Sequence, residues 1–108
     1  MKATVRVELH YANESDYQEL HGFMERLGFS RLITGSDGKV YQLPPAEYVY
    51  GGSKSGDEIF ALAKQAANAT GKRFAVFMTE GTSRTWVGLE VVQARSASTI
   101  LTGGYLNR

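Results

Sequence analysis

The stretch that decides the fold is TVRVELHY at residues 4–11, in which apolar and polar side chains alternate. Val5, Val7, Leu9 and Tyr11 occupy one set of positions, and polar or charged side chains occupy the other. Because successive side chains of a strand point to opposite faces, this pattern predicts a strand with one face on a core. The whole sequence has 108 residues, which is the length of a single domain and enough to bury such a core.

Two later stretches have apolar residues at helical spacing, and each begins with a capping pattern. Ser15 and Gln18 form such a pattern before the first apolar stripe, which predicts a helix at about residues 16–27. Ser55 and Glu58 repeat the pattern before the second stripe, whose small alanine side chains would allow close packing on a sheet. The sequence therefore predicts two helices that each pack one face on the strands.

Several stretches between and after the helices have the composition of strands. The Asp-Gly turn at residues 35–38 predicts a hairpin that joins strands at 29–33 and 39–43. Residues 47–50 form another extended piece, rich in β-branched and aromatic side chains. The pattern leaves open whether 39–43 or 47–50 is the main third strand.

The last two predicted strands are residues 73–79 and 85–92. The first of them is apolar on both faces, which is typical of a strand that is central or covered on both sides. The resulting order predicts an α+β, ferredoxin-like split βαββαβ sandwich, with two helices on one face of a mainly antiparallel sheet and an extra C-terminal strand. Residues 1–93 are expected to form this single domain, and residues 94–108 a flexible C-terminal tail.

Composition narrows the chemistry that the chain can carry. The absence of cysteine excludes a disulfide framework, a thiolate zinc site and a cysteine nucleophile. Twelve basic and eleven acidic residues give a net charge of +1, so any nucleic-acid site has to be a local patch. We expect neither a metal nor a cofactor, because no spacing of ligands or phosphate-loop motif is present. We also expect no membrane partner and a cytoplasmic location, because no signal peptide or apolar run of ~20 residues is seen.

Beyond these patterns, the sequence resembles a known family. The runs YQELHGFMERLGFS at 17–30 and SDGKVYQLPPAEY at 36–48, with Asp-Glu-Ile at 57–59, are similar to the GhoS antitoxin family. The resemblance covers about residues 4–79. It implies a small ferredoxin-like endoribonuclease that cleaves messenger RNA as one component of a toxin–antitoxin pair.

Four residues are candidates for the chemistry of RNA cleavage. Cleavage without metal needs a base for the 2′-hydroxyl, an acid for the leaving oxygen and a cation for the charge on phosphorus. His10, Glu8 and Arg6 share the predicted non-core face of the first strand, about 7 Å apart along it. His21 is the other histidine, and its place beside the helix stripe also fits a boundary histidine bonded to a carbonyl.

Five further residues are candidates for binding the RNA strand. Arg31, Arg73 and Arg84 are expected to contact phosphates. Tyr48 and Tyr50 share one face of their strand and would stack single-stranded bases if that face were open.

Two functions therefore remain open from the sequence. The first is a GhoS-like RNA-binding protein that acts as a sequence-selective endoribonuclease on single-stranded messenger RNA, as a component of a toxin–antitoxin pair. The second is a non-catalytic, ferredoxin-like interaction module that self-associates, for example as a homodimer, through its sheet face or through its last strand, where residues 87–92 could pair edge to edge.

Overall fold

The computed structural model describes residues 2–92. Up to residue 80, its helices and strands follow one another in the predicted order. The elements are β1 (Lys2–Leu9), α1 (Glu14–Arg26), β2 (Leu32–Thr34), β3 (Val40–Gln42), β4 (Glu47–Gly51), α2 (Gly56–Ala69) and β5 (Phe74–Glu80). Neither helix of this described part is long and apolar enough to cross a membrane. The predicted tail at 94–108 lies outside the described residues.

β1 is the central strand of an antiparallel sheet with the order β4-β1-β5. The chain just after α1 lies on the other side of β4, because Ser30 and Val49 exchange backbone hydrogen bonds of 2.9 and 2.8 Å. It then continues into the β2–β3 hairpin. This is the predicted α+β ferredoxin-like arrangement, and its main third strand is β4.

The core lies between the two helices and one face of this sheet. The side chains that are fully or almost fully buried there include Ala3, Val5, Val7 and Leu9 from β1, Leu20 and Met24 from α1, and Ile59, Ala63, Ala66 and Ala67 from α2. No described helix covers the opposite face of the sheet, which carries the even-numbered residues of β1. We call this the open face.

The two helices begin with the same kind of cap, although α1 begins earlier than predicted. Asn13 is its N-cap, since the Asn13 side chain accepts from the amide of Asp16 and the Asp16 carboxylate accepts from the amide of Asn13, both at 2.9 Å. The cap predicted at Ser15 is therefore wrong, because Ser15 already lies within the first turn. The cap predicted at Ser55, which accepts from the amide of Glu58, is confirmed.

The strand predicted at residues 85–92 is wrong within the described part of the chain. Its pairing is limited to one isolated bridge between Val91 and Tyr41 of β3. Gly88 has a φ of 84°, which an extended strand does not allow, so the backbone turns before a ladder can form. Residues 82–89 instead lie against the open face, beside β1 and β4.

Candidate nucleic-acid interface

The residues named from the sequence divide between the two sides of the sheet. The open face, or the segment against it, carries Arg6, Glu8, His10, Arg73 and Arg84. The helix side carries His21, Arg31, Tyr48 and Tyr50.

Arg6, Glu8 and His10 form a row along one side of the central strand, which we call the β1 row. Arg6 and Glu8 are exposed because they alternate with the buried residues of β1. His10 is the first residue after the strand, and its amide donates to the carbonyl of Arg73 at 2.8 Å. This bond continues the β1–β5 register by one residue, so Arg73 lies beside the β1 row. Among residues 2–92, no three histidine or carboxylate side chains form a group that could hold a metal ion.

Arg6 lies between an acidic and an aromatic neighbour on the open face. It is in register with Glu47 of β4 on one side and Phe77 of β5 on the other. Its Nη1 is 4.0 Å from Oε1 of Glu47, and the Arg6 side chain is 60% exposed, so this ion pair is weak and open to a competing anion. The Phe77 ring is 72% exposed. A ring and a guanidinium side by side on an open sheet can stack a base and hold its phosphate.

Phe77 is a residue that the sequence analysis missed. The apolar run at 73–79 suggested a strand covered on both sides, but within the described residues β5 pairs only with β1, and its Ala75, Phe77 and Thr79 are exposed. That expectation was wrong because alternation within one strand does not report its neighbours. The signal that identifies Phe77 is its register with Arg6, which only the paired strands show.

Arg84 is a cation held in place over the open face. Its Nε donates to Oγ1 of Thr4 at 2.8 Å, and its Nη2 donates to the carbonyl of Ala3 at 3.0 Å. Neither of the two ion pairs within the described residues involves Arg84. A half-buried guanidinium that is already oriented and has no carboxylate partner there is well suited to a phosphate.

His21 lies on the other side of the sheet and is buried in the core boundary. Its Nδ1 and the hydroxyl of Tyr48 are 2.6 Å apart, so its partner is a tyrosine and not the predicted carbonyl. Burial, and to a smaller extent the charge of the nearby Arg31, lower the pKa of His21 to about 4. Burial also raises the pKa of Tyr48. His21 is therefore neutral at physiological pH, and the sheet separates it from the β1 row.

The two tyrosines predicted on an open face lie on the helix side. The β1–β4 register pairs Tyr48 with Val5 and Tyr50 with Ala3, and both partners are buried in the core. Tyr48 is fully buried, and Tyr50 packs on Phe29 with ring centroids 5.5 Å apart. Neither ring can stack a base on the open face, so Phe77 takes the position that the sequence suggested for them.

Arg31 belongs to the same helix-side cluster as His21. It is half-buried, and its Nε has no hydrogen-bond partner among the described residues. The positive charge of Arg31 acts to lower the pKa values of His21 and Tyr48. Arg31 therefore does not lie on the open face with Arg73 and Arg84, the other two arginines predicted to contact phosphates.

The fold and the open face together define a small α+β protein whose exposed sheet carries arginines, an aromatic ring and acid–base side chains. A family model described as Endoribonuclease GhoS matches residues 1–86, which is most of the chain and includes every candidate residue named above. The chain thus belongs to the GhoS endoribonuclease family, as its sequence resemblance predicted. Comparison with individual curated proteins gives no match.

Proposed function

We propose that this protein binds single-stranded RNA across the open face and cleaves it, as the RNA-directed component of a toxin–antitoxin pair. The observation that carries the proposal is the β1 row of Arg6, Glu8 and His10 with the exposed Phe77 ring beside it. Family membership supports the reaction class. The row supplies the base, acid and cation that RNA cleavage needs.

The proposed path of the RNA follows the arginines and the Phe77 ring along the sheet. Arg84 is anchored on Thr4 at one end of β1, and Arg73 lies beside His10 at the other end, about 20 Å away along the strand. An RNA strand over this path has its phosphates on the arginines and one base on Phe77. Such a site tolerates many sequences, because every base has a π-face.

The chemistry that the row supports is transesterification at phosphorus. The Glu8 carboxylate takes the proton of a 2′-hydroxyl, and that oxygen forms a bond to the adjacent phosphorus. The bond from phosphorus to the 5′-oxygen breaks, and protonated His10 donates its proton to the departing oxygen. Arg6 stabilises the charge on the non-bridging oxygens. The products are a 2′,3′-cyclic phosphate and a 5′-hydroxyl, and the reaction needs no further reactant.

Incubation with a messenger-length RNA tests the cleavage. We expect the wild type to leave 2′,3′-cyclic phosphate ends with and without EDTA, and Glu8→Gln and His10→Gln each to lose at least about 100-fold in rate. Glu19→Gln, an exposed carboxylate on α1, is the matched control and should cleave like the wild type. Intact RNA with the wild type, or equal rates for wild type and His10→Gln, would show that the row is not catalytic.

A binding measurement tests the place of the RNA independently of cleavage. Phe77→Ala should weaken binding of a labelled oligomer about tenfold, since base stacking on an aromatic ring is worth roughly 1–3 kcal/mol. Tyr11→Asn is the control, because Tyr11 is 92% exposed but lies in the turn after β1. Asparagine also tolerates the positive φ of that position. Equal affinity of Phe77→Ala and wild type would place the RNA elsewhere.

A non-catalytic interaction module is the second candidate function. It is favoured by the position of β5 at the edge of the described sheet, where an exposed apolar ring and free backbone groups could pair with another chain. Light scattering at high protein concentration separates the two functions. A dimer that Phe77→Ala dissociates, together with no RNA binding, would favour this second function.

A further inference from the structure

A cavity of about 430 Å³ lies between the β2–β3 hairpin and residues 82–86. We call it the hairpin cavity. Its lining residues include the aromatic residues Tyr41 and Trp86, Arg84, and several threonine and serine residues. Its volume is within the range of roughly 300–1,000 Å³ that small-molecule sites occupy. Nothing in the proposed cleavage uses this cavity.

The two aromatic rings of the hairpin cavity are held in fixed positions. Tyr41 and Trp86 pack edge to face, with ring centroids 5.4 Å apart. The Tyr41 hydroxyl donates to Oδ2 of Asp37 at 2.5 Å, which orients the ring. Gly35 makes room for both rings, since a Cβ there would lie 3.1 Å from Tyr41 and 3.2 Å from Trp86. The Tyr41 ring is therefore held within the hairpin, and the Trp86 ring packs against it from residues 82–86.

Arg84 connects the hairpin cavity with the open face. Arg84 and Trp86 also line a second cavity of about 580 Å³, which lies over Thr4 and Val49 of the sheet. The guanidinium uses two of its donor groups on β1 and has no carboxylate partner among the described residues. Its position between two adjacent cavities is that of a group that binds the phosphate joining two successive nucleotides.

We propose that the hairpin cavity is a base-binding subsite, in which one base of single-stranded RNA stacks on the Tyr41–Trp86 pair and its phosphate binds Arg84. This inference rests on the proposed function, because the neighbouring nucleotide has to lie on the open face. Every base has a π-face, so stacking on the two rings lets this subsite accept purines and pyrimidines alike.

The only tryptophan of the sequence is Trp86, so its fluorescence reports directly on the hairpin cavity. Fluorescently labelled 2′-O-methyl octamers of uridylate and of adenylate serve as probes, since they lack the attacking hydroxyl and are not cleaved. We expect both octamers to quench the Trp86 emission at the same concentrations at which their own anisotropy rises. Trp86→Leu should weaken binding about tenfold, and Trp86→Phe, which keeps a ring, should stay within about threefold of the wild type.

Failure of this inference can be told apart from failure of the proposed function. If anisotropy shows binding that Phe77→Ala weakens, but Trp86 emission and the Trp86→Leu affinity are unchanged, the base subsite is wrong and RNA binding stands. If no octamer raises the anisotropy, the proposed function fails and the inference fails with it. Quenching by a nucleoside monophosphate but not by the octamers would make the cavity a site for a free nucleotide and also overturn the inference. The emission measurement uses the unaltered protein, so it decides even if Trp86→Leu fails to fold.

Discussion

At the scale of the residue, burial and charge partners decide what a side chain can do. His21 is the kind of residue that catalyses RNA cleavage, but it is 7% exposed, bonded to Tyr48, and its pKa is lowered to about 4. Arg84 is an ordinary loop arginine in the sequence, but two hydrogen bonds orient its guanidinium over the sheet. The environment thus keeps His21 neutral and orients the charged group of Arg84.

Because His21 is neutral in the folded state, stability should fall as the pH is lowered from about 6.5 towards about 4. In this interval the unfolded chain, with the ordinary pKa of 6.5, binds a proton that the folded chain does not. Above pH 6.5, His21 causes no loss of stability. As the pH approaches 4, it lowers the free energy of unfolding by up to about 3 kcal/mol. Urea unfolding between pH 4.5 and 7.5 measures it.

The difference between wild type and His21→Gln isolates the contribution of this histidine from that of titrating carboxylates. His21→Gln should be less stable at pH 7 and should lose less stability than the wild type on acidification. His10→Gln is the matched control, because it removes the other histidine of the sequence and leaves the His21 contacts in place. Parallel curves for wild type and His21→Gln would contradict the assignment.

At the scale of the element, local patterns predict helices and strands but not which way a strand faces. The two helices were predicted because their apolar periodicity is strong over three turns or more. The exposed face of β4 was not predicted, because Val49 and the two tyrosines are all apolar enough to be buried. The pairing of Tyr48 with Val5 determines that the two tyrosines face the helices and Val49 faces the other side. No local sequence pattern contains that register.

The start of α1 offers a test at this scale. Asn13→Ala removes the cap that accepts from the amide of Asp16 and should cost about 1 kcal/mol in the free energy of unfolding. Ser15→Ala, within the exposed first turn, should change it by less than about 0.5 kcal/mol. The urea midpoints of the two variants measure the difference. A larger loss for Ser15→Ala would mean that the helix begins at the later cap.

At the scale of the whole molecule, the net charge is only +1, so RNA binding would depend on where the charged side chains lie. Arg6, Arg73 and Arg84 lie on or against the open face together with Glu8 and Glu47, while Asp57 and Glu58 begin α2 on the other side. Arg73 and Arg84 form neither of the ion pairs among the described residues, so they are the cations of this face that have no carboxylate partner there.

The salt dependence of RNA binding should reflect these few arginines. For about three phosphate contacts to a single strand, the slope of log K against log salt concentration should be about −2. Arg84→Gln should make the slope about 0.7 smaller in magnitude. Lys64→Gln is the control, because Lys64 lies on α2 against the ring of Phe60 and away from the open face. The same reduction in both variants would mean that the RNA does not follow the open face.

The order of the elements from β1 to β5, the two helices, the ferredoxin-like class and the common strand face of Arg6 and Glu8 could be predicted from the sequence, because alternation and helical spacing are local properties. The family was recognised from the resemblance of the sequence to that family. Only the tertiary structure decided which side of the sheet each candidate occupies. Strand register buried Tyr48 and exposed Phe77, and helix packing placed His21 in the core boundary. These outcomes depend on pairings between residues far apart in the chain, and such pairings leave no periodic trace in the sequence.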